Sequence, residues 1–170
     1  MRSVGREQVI YFLIYVVLQL PVLHRFVLFD AAFAFFYVSF MLVLPLGLDR
    51  LTMLFLAFGT GLLVDIFSNT PGIHASACIV LAVLHKPWLT MVVGAPEEDA
   101  RVSIFNFGLR SMITYAVPLI FIHHFQVFLI EHGSFGAFGL LLKRAFFSTL
   151  LTATLFLSSN FLLSSKTRRL

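Results

Sequence analysis

Charge is scarce in this chain. Only 12% of its 170 residues are Asp, Glu, Lys or Arg, about half of what a soluble domain carries. No polar stretch is long enough to build a separate water-soluble domain. Cysteine is nearly absent: Cys78 stands alone in an apolar run, which excludes an intramolecular disulfide and says nothing about redox compartment. Catalytic signatures are missing too. There is no Gly-x-Ser-x-Gly elbow, no phosphate-binding glycine loop, no His-Glu-x-x-His helix and no Cys-His pairing. The carboxylates Asp49, Asp65 and Glu131 are too scattered to form a dyad. The basic start and apolar run from Val9 resemble a secretion signal but lack an Ala-x-Ala-like cleavage site. They are expected to form an uncleaved first membrane helix.

What the chain has instead is apolar surface. It is 59% hydrophobic, with 21 Phe residues and a mean hydropathy of +0.97, more than one globular core can hide. Long uncharged runs point to a bilayer. The net charge of +4 is no sign of nucleic acid, because the basic residues sit at segment ends rather than in a phosphate-tracking stripe.

Six membrane spans are expected, at about residues 9–23, 31–48, 51–67, 73–92, 112–130 and 145–163. The first is short for the ~20 residues a bilayer needs. In the fourth, His85-Lys86-Pro87 interrupts the run before Trp88, a residue suited to the membrane interface. The longest polar loop follows, with Pro96-Glu-Glu-Asp99 and Arg101. Span six is rich in Ser, Thr and Ala, which favour close helix packing. The fold class is therefore an all-α integral membrane protein, one compact bundle of about six helices, some short or discontinuous. With both termini cytoplasmic, nine of the twelve Lys and Arg fall on the cytoplasmic side, leaving Arg25, Lys143 and Arg144 outside. Positive-inside counting favours that orientation.

One segment is more specific than the rest: Gly59-Thr-Gly-Leu-Leu-Val-Asp-Ile-Phe-Ser-Asn-Thr-Pro-Gly-Ile-His74. It buries a carboxylate, Asp65, in an apolar run, at a cost of about 3 kcal/mol at membrane depth. Asn69, Pro71 and Gly72 then form a turn. Asp65 either anchors a partner helix or relays a proton, or it hydrogen-bonds the turn and holds the hinge shut. The second, structural reading is preferred. Ala57 and Gly61, four residues apart, with Gly59 between them, allow close helix approach, more readily within the chain than outside it. His74 reads as a polar residue opening span four rather than a metal ligand. His123 and His124 point about 100° apart on a helix and read as a solvated pair rather than a zinc site.

Gly61 to His74 resembles the signature of the MreD family, bacterial rod shape-determining membrane proteins. Asp65, Gly72 and His74 fit its Gly-Leu-x-x-Asp stretch, turn glycine and helix opening. Gly108-Leu-Arg110, Ile122-His-His124 and Phe128-Leu-Ile-Glu131 look like the version in Bacteroidetes-type bacteria. The polar loop at Pro96 to Arg101 is longer than in proteobacterial members.

The resemblance implies a non-enzymatic scaffold or regulator of the cell-elongation (rod) complex in the bacterial cytoplasmic membrane, controlling shape through lateral peptidoglycan synthesis. It implies no cofactor and no nucleic acid. The implied partners are an MreC-like bitopic protein, MreB-like filaments, and a RodA-like glycosyltransferase with its transpeptidase, beside membrane lipid. Structural or partner-contact candidates are Ala57, Gly59, Gly61, Asp65, Asn69, Pro71, Gly72, His74 and Arg110. The family fold is also similar to substrate-binding subunits of vitamin importers, which supplies the alternative. Those carry an alanine-rich face on span one, whereas Val9 to Leu20 contains no Ala.

Overall fold

The computed structural model describes residues 6–17, 19, 27–28, 31–45, 48–94, 108–133 and 136–167. Helix α1 (Arg6–Phe12) continues as a π-helical turn, Leu13–Val17. Strands β1 (Val27–Leu28) and β2 (Ala32–Phe33) pair antiparallel, Val27 opposite Phe33 and Leu28 opposite Ala32. A short helix, α2 (Val38–Val43), leads to the long helices α3 (Arg50–Ser68), α4 (Ile73–Val93), α5 (Leu109–His132) and α6 (Phe138–Thr167). Among the described residues, α3 to α6 are the four helices long and apolar enough to cross a membrane. Their outer faces carry large apolar side chains, with Phe55 68% and Phe161 78% exposed. Such surface requires a nonaqueous surrounding.

Local chemistry sets the helix limits. Asp49 caps α3: its Oδ2 accepts the Thr52 N–H at 2.9 Å and its Oδ1 accepts the Thr52 hydroxyl at 2.9 Å. These donors favour the charged form and hold the carboxyl below its usual range. At the other end Asn69 adopts the left-handed conformation, φ 56°, and its N–H bonds the Asp65 carbonyl. Gly133 closes α5 in the same way, at φ 67°.

The fourth span is not interrupted: α4 runs unbroken past His85-Lys86-Pro87 to Val93. Pro118 lies inside α5, where its missing N–H leaves the Thr114 carbonyl without its intrahelical donor. The Trp88 indole N–H supplies one, at 3.2 Å to Thr114 O and 3.1 Å to Tyr115 O. One helix thus repairs the defect of the next.

The second expected span, 31–48, is not a membrane helix. Its first part is extended, and α2 covers only six residues. The reason is visible in its alternation: Ala32, Ala34 and Phe36 are buried while Phe33 and Phe35 are half-buried, a period of two. This segment still passes along the bundle. Phe33 packs on Phe128 and the Leu42 carbonyl accepts the Tyr115 hydroxyl at 3.0 Å. Thirteen residues of α5, about 20 Å, separate those contacts.

Extended backbone in an apolar interior needs partners from the protein, and four bonds provide them. The Phe33 N–H donates to Ser148 Oγ at 2.9 Å and the Phe35 N–H to Thr152 Oγ1 at 3.2 Å. Gln19 takes the Phe36 N–H on Oε1 at 2.6 Å and gives its amide N–H to the Ala34 carbonyl at 2.9 Å. Ser148 and Thr152 of α6 therefore serve the chain's own backbone. Tyr15, Tyr37, Phe40 and Met41 fill the main core around this segment, and Ala77, Val127, Phe128 and Ala145 a smaller one beside it. Residues 18 and 20–23 of the first span, Arg25 after it, the loop from Pro96 to Arg101, Ser134 and the tail from Arg168 lie outside the described residues.

Candidate functional site

The hinge between α3 and α4 is a closed polar lock. Gly72 is the residue that opens α4, at φ 85°, and has no side chain to cap it. The first helical N–H groups would then be orphans in an apolar setting. Asp65, reaching across from α3, takes the place of the missing cap. Its Oδ1 accepts the His74 N–H at 3.0 Å and its Oδ2 the Ala75 N–H at 2.9 Å. These are the second and third positions of the helix, the ones a cap side chain serves. Oδ1 also takes the Thr70 hydroxyl at 2.9 Å and lies 3.0 Å from His74 Nδ1. The Asp65 backbone carbonyl binds the Thr70 N–H at 3.1 Å besides that of Asn69. Every oxygen of this residue is spent on the turn. A negative charge at a helix N-terminus also interacts favourably with the helix dipole.

Close approach of α3 to α4 makes the reach possible. A Cβ on Gly61 would meet Ala75 Cα, and would stand 2.6 Å from both Ala75 N and the His74 carbonyl. All are backbone-held atoms that cannot swing away. Ala57, one turn earlier, is fully buried in the main core. Both small residues are thus used inside the chain. Gly59 is exposed with nothing within 4 Å of its would-be Cβ. Pro71 is exposed in the turn, and Arg110 is exposed in the first turn of α5, away from the hinge. We expect Gly61→Val to destabilise the chain by about 2–4 kcal/mol, since overpacking against backbone forces the helices apart. Gly59→Val should cost under 1 kcal/mol. Thermal unfolding of the two variants in one detergent makes the comparison.

Next to the lock lies a histidine cluster that the sequence reading did not assemble. His123 and His124 are both fully buried rather than solvated, which corrects the expectation of an interfacial pair. The 100° divergence sends them to different partners. His123 Nε2 is 2.9 Å from the Tyr37 hydroxyl. His124 Nδ1 is 2.8 Å from the Ile120 carbonyl, which can only accept, so that nitrogen carries the proton. His124 Nε2 then accepts the Thr152 hydroxyl at 3.2 Å, and Thr152 accepts the Phe35 N–H. Phe35 stacks on the His124 ring and meets the His74 ring edge-on at 5.3 Å.

The cluster joins the hinge, the broken second segment and α5 through aromatic contacts. Among the described residues no group of three or more His, Cys, Asp or Glu is placed to hold a metal ion. The available signals were the Ala-Phe alternation at residues 32–35 and the Ser148/Thr152 spacing of four. Neither names a partner by itself. No protein-family model, no curated protein and no solved structure matches this chain.

Proposed function

We propose that this chain is a multi-pass scaffold of the bacterial cytoplasmic membrane. It acts in the cell-elongation complex as MreD-like proteins do, and is not an enzyme. The observation that carries the reading is the hinge, the segment on which the resemblance rests. Its buried carboxylate is engaged in capping α4, Oδ1 on the His74 N–H and Oδ2 on the Ala75 N–H. The lock fixes how α3 stands against α4, and α3 presents an outer stripe of Leu51, Phe55, Phe58, Leu62 and Ile66, all exposed. These positions recur every three or four residues, the spacing of one helix face. Gly59 follows Phe58 at the edge of this stripe, with nothing within 4 Å of its would-be Cβ, and leaves room for a crossing helix. A bitopic MreC-like partner would dock its single membrane helix there. The same-side ends of α3 and α6, with the cytoplasmic loop before α5, would face MreB-like filaments and a RodA-like glycosyltransferase with its transpeptidase.

The test is affinity capture of the tagged full chain in mild detergent from rod-shaped cells that carry it. An MreC-like protein should co-purify. Asp65→Ala and Gly72→Val should each reduce that capture and round the cells. Normal rods with undiminished co-purification in both variants would contradict the reading.

A further inference from the structure

A cavity of about 360 Å³ opens on the side of the bundle away from the hinge. It lies between the start of α3, the later half of α4, and the residues Pro45 and Leu48. Most of its lining is apolar: Pro45, Leu48, Met53, Leu54, Ala82, Val83 and Pro87. The polar members are Arg50, His85 and Lys86. Arg50 stands eleven residues before Gly61 and Lys86 eleven after Ala75, the two residues in contact across α3 and α4. At 1.5 Å per residue both cations lie about 16 Å from that contact, and so at one level.

Among the described residues neither cation makes an ion pair. The nearest carboxylate in sequence, Asp49, is engaged with Thr52. His85 is 3% exposed and its Nε2 has no hydrogen-bond partner. An apolar slot with two free cations at its rim suits an amphiphile with an anionic head.

We propose that this cavity seats the phosphate group of an anionic membrane lipid. Arg50 and Lys86 hold the phosphate oxygens, His85 lies in the cavity wall, and an acyl chain leaves past Leu54 and Val83. Arginine presents a fork that matches phosphate geometry, and lysine adds a point charge. The site does not depend on which protein docks on α3, so it stands or falls separately from the scaffold reading.

Native mass spectrometry of the full chain, released from an uncharged maltoside detergent, provides the test. Short-chain phosphatidylglycerol should bind saturably with one tight site, while phosphatidylcholine of the same chain length should bind at least tenfold more weakly. Arg50→Gln combined with Lys86→Gln should weaken the phosphatidylglycerol site about tenfold, and Arg50→Lys should lose less. Val83→Trp, which fills the mouth from an exposed position, should block binding with both cations in place, and it decides the matter if the charge variant does not fold. Equal binding of the two lipids would overturn the proposal. So would a phosphatidylglycerol site that none of these substitutions weakens, or inorganic phosphate displacing that lipid at equal concentration.

Discussion

Asp65→Leu should lower the stability of the chain by roughly 3–5 kcal/mol, among the largest effects a single substitution has. Leucine matches the carboxylate in size but accepts nothing. The His74 and Ala75 N–H groups lose their acceptor at 3.0 and 2.9 Å, and each buried orphan costs about 1–3 kcal/mol. The Thr70 hydroxyl and His74 Nδ1 lose the same carboxylate oxygen. Asp65→Asn should fall between wild type and Asp65→Leu. Its amide oxygen can accept one of the two N–H groups, while its amide nitrogen opposes the other. Thr70→Val removes one donor and should cost about 1 kcal/mol. Unfolding in mixed micelles with increasing denaturant ranks the three. If Asp65→Leu proved no worse than Thr70→Val, the carboxylate would not be the cap of α4.

Gln19→Leu should cost about 2–4 kcal/mol, for a related reason in a different place. Gln19 is 2% exposed and serves an acceptor and a donor on one stretch of extended backbone, Ala34 O and Phe36 N. Leucine leaves both without partners, where no water reaches to replace them. Gln19→Glu is informative beside it, since a carboxylate keeps the bond to the Phe36 N–H but turns an acceptor towards the Ala34 carbonyl. Ser148→Ala removes one of the four anchors and should cost about 1–2 kcal/mol. The same unfolding series applies, read together with proteolysis between residues 28 and 38. That segment should become cleavable in Gln19→Leu and stay protected in Ser148→Ala.

The apolar runs of α3, α5 and α6 were legible from hydropathy alone, because a helix that faces lipid must be apolar over about 20 residues. The turn at Asn69 to Gly72 was legible from residue type, since left-handed backbone favours Gly and Asn. Asp65 as the hinge anchor was legible in outline. Which N–H groups it would serve was not, because that depends on α4 folding back against Gly61. The second segment misled for a physical reason. An uncharged stretch of 18 residues satisfies a hydropathy window whether it is helical or extended, and only its partners separate the two cases. Those partners, Gln19, Ser148 and Thr152, lie 15 to 117 residues away in sequence. The buried positions of His123 and His124 were hidden in the same way. Their partners Tyr37 and Thr152 come from other parts of the chain.

The lock is best read at the two amides it protects. Hydrogen exchange of the full chain in nanodiscs, resolved to residues 73–76, should show slow exchange at His74 and Ala75. In Asp65→Ala those amides should exchange at least tenfold faster, while the middle of α5 and α6 keeps its protection. Unchanged protection at His74 and Ala75 in the variant would contradict the assignment of Asp65 as the cap that holds the hinge shut.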